Sequence, residues 1–559
     1  MITTISVVET YTWVTRRGQD LLAQQQPCAF LDVREPGQFG EGHPLFAVPL
    51  PFSEFECRLP QLVKALHVPV LLIDSDDGVA ARAAVAAQRL GYTDVRVCRG
   101  GVMAWAAAGY TLYQGVNVPS KVFGEIVEHQ RDTPSITAQQ LKQMQQRGRD
   151  LVLLDGRPWP EFKAMSIPSA RCCPNAELPL RIDSLVASED TVVVINCAGR
   201  TRSIIGAQML IDSGVAQQVY ALENGTQGWT LAGFELDWNK VDANAEAEKI
   251  ALDALAPQQA RRRRLEERFK LAGGNFVDWA DVQASLQEPS NAPMLLLDVR
   301  TEAEFSAACL PFSQHAPGGQ LVQATDQWVA IRGARIVLFD TVAVRALGTA
   351  CWLRQLGHVA DVLDPDSVSA TAMSPAANST SQGGWSASHH AEQWLRQMQA
   401  EELPSIEACS TVDLVLDVRS SAAFNQAALP HSQWVTRSRW RTRLTPLPAA
   451  ISRVAVLGPV VRVAAMVAEL RDAGYSEVSW IACDAELPAS SMMTTAPVDA
   501  DATHSRPVAI AEYDRIDFLQ FTATRHQGDR AASLQYLEWE QNLVAQLDPV
   551  EAEVFSVLS

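Results

Sequence analysis

A short apolar run closing on Asp-x-Arg occurs four times in this chain, and that repetition limits its fold more than any other feature. The runs are Ala29-Phe30-Leu31-Asp32-Val33-Arg34, Leu151-Val152-Leu153-Leu154-Asp155-Gly156-Arg157, Leu295-Leu296-Leu297-Asp298-Val299-Arg300 and Leu414-Val415-Leu416-Asp417-Val418-Arg419. An acidic or aromatic residue soon follows, as in Glu161-Phe162 and Glu304-Phe305. Self-similarity of this kind marks a repeated architecture. Downstream of each run lies a second one that reads as a buried strand: Val70–Ile73, Val192–Ile195, Ile336–Phe339 and Val454–Leu457. The residue closing that strand falls 42 positions after the Asp in the first three copies and 41 in the fourth.

After each closing residue comes an Ala-rich helical stretch ending near a glycine (Gly91, Gly214, Gly357, Gly474), and then another strand. Glycine there suits the left-handed turn that ends a helix. Strand–loop–helix–strand, repeated, predicts parallel βαβ units with helices covering the sheet. The expected fold is therefore α/β, with four tandem small doubly wound domains at 5–115, 133–240, 273–366 and 387–485. Residues 241–272, with Arg261 to Arg264, read as a charged helical linker whose arginines form a solvated face. Residues 367–386 and 486–506 are Ser/Thr/Ala/Pro-rich and read as flexible linkers. The tail, 507–559, is expected to pack back on the fourth domain. Only the first two copies continue into a glycine–tryptophan end, Gly100-Gly101 to Trp105 and Gly225 to Trp229.

Composition narrows the function. A net charge of −18 argues against a general nucleic-acid surface, which needs concentrated Lys and Arg. No apolar run approaches the ~20 residues needed to span a bilayer, and the N-terminus lacks the pattern of an export signal. The ten cysteines match neither a zinc site nor a disulfide framework, so most are expected to behave as small buried hydrophobes in a reducing cytoplasm. No metal or cofactor is called for.

In an open parallel sheet, ligands bind beyond the carboxyl ends of the strands. The residues closing the second strand there are Asp74, Cys197, Asp340 and Gly458, of which only Cys197 is a nucleophile. It opens the stretch Cys197-Ala198-Gly199-Arg200-Thr201-Arg202-Ser203, read as a six-residue loop before a helix. Loop amides and a helix N-terminus favour an anion there, and Arg200 and Arg202 add positive charge. Such surroundings raise the thiolate fraction.

The Leu-Asp-x-Arg strand, the cysteine loop and the Gly…Gly-Trp end together resemble the rhodanese family of sulfurtransferases across residues 133–240. The first copy resembles it without the cysteine, and the last two mainly by spacing. The resemblance implies that Cys197 takes a sulfur from a donor such as thiosulfate and passes it, as a persulfide, to cyanide, a thiol or a thioredoxin-like protein. It implies that the amides of Ala198, Gly199, Arg200, Thr201, Arg202 and Ser203 cradle the sulfur and that Arg202, then Arg200, binds the donor's oxygens. Asp155 and Arg157 either brace the loop and pocket entrance, with Arg157 among the substrate-binding candidates, or form an internal ion pair that fixes the fold. Their recurrence in copies without a cysteine favours the second role.

Two rivals remain. A phosphatase of the dual-specificity cell-cycle type needs Cys-x5-Arg, whereas the arginine here lies at Cys-x4-Arg and Asn196 replaces the usual histidine. A non-enzymatic scaffold or sulfur-sensing protein would suit the three degenerate copies, though not an intact Cys197 loop.

Overall fold

The computed structural model describes residues 2–239, 255–287, 293–376, 386–429, 432–444, 451–483, 510 and 515–559. Its chain divides into two compact units, each discontinuous in sequence. One comprises Met1–Thr10, Ala29–Val116 and Trp385–Phe521, the other Tyr11–Cys28, Asn117–Gly384 and Thr522–Ser559.

The larger unit holds two parallel sheets. In the first, strands Ser135–Ile136, Val219–Leu222, Val192–Asn196, Leu151–Asp155 and Arg171–Cys172 lie side by side in that order. In the second the order is Phe276–Val277, Val359–Leu363, Arg335–Phe339, Met294–Asp298 and Gln314–His315. The smaller unit repeats the pattern with Thr3–Ile5, Val95–Cys98, Val70–Ile73, Cys28–Asp32 and Val48–Pro49. It does so again with Glu401–Glu402, Glu477–Ala482, Arg453–Gly458, Leu414–Asp417 and Ser432–Trp434. Numbered within each copy, the strand order is 1-5-4-2-3 four times over.

These strands are nearly continuous apolar runs because helices bury both faces of a parallel sheet. Along Val192–Asn196, Val192 and Val194 enter one core with Leu153, Phe162 and Trp229. Val193 and Ile195 enter the opposite core with Leu154, Ile182 and Leu210. At the helix ends Gly91, Gly214, Gly357 and Gly474 all have positive φ, between 79° and 96°, as a left-handed turn requires.

Asp-x-Arg is a brace. In the second copy Arg157 Nε donates to Asp155 Oδ1 at 2.9 Å, Nη2 to Oδ2 at 2.7 Å, and Nη2 also to the carbonyl of Met165, eight residues on. Arg34, Arg300 and Arg419 make the same bonds to Asp32, Asp298 and Asp417 and to the carbonyls of Gly42, Ala308 and Ala427. One guanidinium thus ties the end of the second strand to the chain that leaves it.

The segments between copies differ from the sequence reading. Leu255–Leu271 is a helix, but Leu265 and Phe269 are buried, Arg261 pairs with Asp183, and Arg268 lies 3.0 Å from Asp212. It is a packed element of the larger unit, and Arg263 and Arg264 are its exposed arginines. Within 367–386, Val368, Ala372 and Met373 pack on the third copy's core and Ser374 bridges to Cys309, so this stretch is not a free linker. Residues 377–385 and the expected linker 486–506 lie outside the described residues. The tail divides. Ile510 and Ile516 cluster with Phe424 and Trp434 of the fourth copy, whereas from Thr522 onward the chain belongs to the larger unit.

Candidate active site

Cys197 stands one residue past the register pair Asn196–Asp155, at the carboxyl end of the central strand of the second copy. Asn196 Nδ2 donates to Asp155 Oδ2 at 2.9 Å, so the residue before the cysteine is pinned to the brace. The thiol is 2% exposed, and Ser203 Oγ donates to Sγ at 3.1 Å. The helix begins at Thr201, so Ala198, Gly199 and Arg200 alone form the connecting loop. Arg202 and Ser203 lie in the first helical turn instead of closing a six-residue loop. The helix N-terminus, with its unsatisfied amides and positive dipole end, thereby lies beside the sulfur.

The glycine–tryptophan end holds the loop from behind. Thr226 N donates to the Cys197 carbonyl at 2.8 Å and Gln227 N to that of Ala198 at 3.2 Å. Gly225 has φ of 50°, and a Cβ there would stand 2.1 Å from the Cys197 carbonyl oxygen. Only glycine lets the two backbones come this close. Gly101 does the same for Asp74 in the first copy, at 2.3 Å.

Both arginines of the stretch are already paired. Arg200 donates to Glu125 at 2.7 and 2.9 Å and also to Glu128, both on helix Val118–Arg131. Arg202 donates through both terminal nitrogens to Glu161 at 2.8 Å, and its backbone carbonyl accepts from Asn175 Nδ2. Arg202 holds the Glu161 carboxyl below the usual carboxylate range despite burial. Arg157 is 0% exposed, its Nε and Nη2 spent on Asp155 and the Met165 carbonyl. Of the two roles left open for Asp155 and Arg157, this geometry is the internal brace, and Arg157 is not placed to bind a substrate.

The other three copies have no thiol here. Asp74 accepts from the amides of Asp76 and Ala80 at 2.9 and 2.8 Å. Asp340 accepts from the amide of Arg345 at 2.9 Å and from its guanidinium at 3.1 Å. Each carboxylate fills its own anion site. Two other cysteines are poor nucleophiles: burial pushes the thiol of Cys173 in the second copy up to about 12, and that of Cys351 in the third copy likewise.

Several residues were not singled out from sequence. Glu161 carried a signal, since it and Glu304 follow their Asp at the same interval and bind Arg202 and Arg345 alike. Asn175, Glu125, Glu128 and Glu540 carried none, because each reaches the loop from a distant segment.

A rhodanese-like domain model matches residues 17–108 and 137–232. The crystal structure of a thiosulfate sulfurtransferase from Pseudomonas aeruginosa is similar over the full length of both chains, with 32% identity and a TM-score of 0.79. A rhodanese-like domain from an Anabaena protein, 22% identical, covers 20% of this chain and 86% of its own, with a TM-score of 0.18. A Bacillus halodurans protein, 17% identical, covers 22% and 93%, also at 0.18. No curated protein sequence matches the chain. An α/β fold with parallel sheets, a strand-end cysteine loop and full-length likeness to a sulfurtransferase define the class. The chain belongs to the rhodanese family of sulfurtransferases. Among the described residues no helix is long and apolar enough to cross a membrane.

Proposed function

We propose that the chain moves sulfane sulfur from thiosulfate, or a related anionic donor, through a Cys197 persulfide to cyanide or a thiol. The observation that carries this reading is the position of Cys197 Sγ, at the end of the central strand, beside a helix N-terminus and 3.1 Å from the Ser203 hydroxyl. The Cys197 thiolate attacks the outer sulfur of thiosulfate. The S–S bond breaks, sulfite leaves with its electron pair, and Cys197 keeps the transferred sulfur as a persulfide anion. That charge is stabilised by the helix N-terminus and the amides from Ala198 to Ser203. An acceptor thiolate or cyanide then attacks the outer sulfur, and the Cys197 thiolate is restored.

Arg202, partly exposed, is the donor-binding candidate, with Arg200 second. A dianionic donor would share their charge with Glu161 and with Glu125 and Glu128. Copies one, three and four are silent in this reading, with Asp74, Asp340 and Gly458 in place of the nucleophile. A cytoplasmic setting, where thiols and thioredoxin-like acceptors are reduced, belongs to the same proposal. Treating the protein with thiosulfate and mapping the added mass tests it. About 32 Da, one sulfur atom, is expected on the Cys197 peptide, and addition elsewhere would overturn the assignment.

A further inference from the structure

The C-terminal segment reaches the catalytic loop. Helix Arg530–Gln541 follows the second copy by some three hundred residues, yet Glu540 Oε1 accepts a hydrogen bond from Thr201 Oγ1 at 2.8 Å. Thr201 is the first residue of the helix that points at Cys197. A side chain built on Gly199 would meet Glu540 Oε2 at 3.0 Å and Tyr536 Cε1 at 3.2 Å. The C-terminal helix therefore bonds the first residue after the loop, Thr201, and packs against a loop residue two positions before it, Gly199. Glu540 is 1% exposed.

Its charge is held by Lys121, whose ammonium lies 3.7 Å from Glu540 Oε1 and donates to the Tyr536 hydroxyl. That ammonium also lies over the rings of Tyr536 and Trp539, at 4.9 and 5.4 Å. Glu540 Oε2, by contrast, is buried with no hydrogen-bond partner. A buried carboxylate oxygen left so is costly to the folded state. A group serving only to anchor the tail would satisfy both oxygens, whereas this one turns its second oxygen towards Gly199.

We infer that Glu540 is a positioning residue of the active site: through Thr201 it fixes the direction of the loop amides that receive the persulfide. The inference rests on the Cys197 reading. Loop amides stabilise a charge only when aimed at it beforehand, and a displacement of about 1 Å costs about a hundred-fold in rate.

The test uses the full chain with single and double substitutions. Glu540→Ala and Thr201→Val are each expected to lower the rate of persulfide formation about ten- to a hundred-fold, in kcat more than in KM. Glu540→Gln, which keeps an acceptor for the hydroxyl, and Thr201→Ser, which keeps the hydroxyl, are expected to stay within about three-fold of the unsubstituted protein. The Glu540→Ala/Thr201→Val double variant should be no slower than the slower single. Thr201→Val and Thr201→Ser leave the tail intact, so they decide the matter even if Glu540→Ala misfolds. Additive effects in the double variant, unchanged kinetics in Thr201→Val, or a Glu540→Gln as slow as Glu540→Ala would overturn the inference. Persulfide still mapping to Cys197 in those cases would leave the proposed function standing, whereas persulfide elsewhere would remove both.

Discussion

Arg345 of the third copy lies with Nε 2.7 Å from Glu177 Oε1 of the second. The relationship is reciprocal. Arg202 and Arg345 hold the same position in their copies, as do Glu177 and Gln320, and Arg202 Nη1 donates to Gln320 Oε1 at 3.3 Å. In the smaller unit Arg462 of the fourth copy donates to Glu54 of the first at 3.1 Å, and Glu54 again holds the Glu177 position. The copies pair two with three and one with four through the same surface. In each pair the segment beside one copy's strand-end loop comes from its neighbour.

Arg345 also bonds Glu304 and Asp340, so its buried guanidinium is placed against three carboxylates, two of them buried. Removing it leaves the buried Asp340 carboxylate without its paired cation, while Glu177 keeps Arg181. Arg345→Ala is expected to lower stability by about 3–5 kcal/mol, read from denaturant midpoints. An isolated segment 125–245 lacks this partner as well as Gln320 and Glu540, and it is expected to transfer sulfur more slowly than the full chain.

Cys197→Ser should abolish thiosulfate:cyanide sulfur transfer and leave the far-ultraviolet circular dichroism unchanged, because a hydroxyl is a far weaker nucleophile. On the unsubstituted chain, cold cyanolysis should release one labile sulfur per molecule. Two would show that a second cysteine is active, against the filled anion sites at Asp74 and Asp340.

Glu161 competes with any donor for Arg202. Glu161→Gln is therefore expected to lower the KM for thiosulfate, and Arg202→Ala to raise it about ten-fold or more. Arg200→Ala should act less on KM, since Arg200 is tied to two carboxylates at once. Steady-state kinetics at fixed ionic strength would separate the two arginines.

Burial lowers His43 to about 3, where its ring stacks on Phe39 and Nδ1 faces the Phe39 carbonyl. The unfolded chain takes up that proton near pH 6.5 and the folded one does not, so the penalty is absent above pH 6.5 and grows as pH falls toward 3. Stability should drop by up to about 1.4 kcal/mol per pH unit from this group. His43→Gln should flatten the dependence between pH 6 and 4 in thermal melts.

The repeats were readable because a buried parallel strand must be apolar throughout, and because the brace needs its Asp and Arg at fixed places. Asp155 and Arg157 could be found from spacing alone. The strand-end cysteine was legible for the same reason, being the one thiol at a position occupied by Asp or Gly in the other copies. Glu125, Asn175 and Glu540 were not, since a contact between distant segments leaves no period in the sequence. The linkers misled for a related reason: Arg261 looks solvated beside three other arginines, and only the fold supplies Asp183. The six-residue loop was overestimated because Arg202 and Ser203 are polar, although polar residues commonly open a helix.

The contact between Thr201 and Glu540 joins residues 339 positions apart. During translation, at roughly 5–20 residues per second, the second copy would wait about 20–70 s after its cysteine loop is made before the helix that touches it exists. A nascent chain would thus carry the Cys197 loop without its Glu540 contact for that interval. A premature stop between the two would separate the Cys197 loop from Glu540.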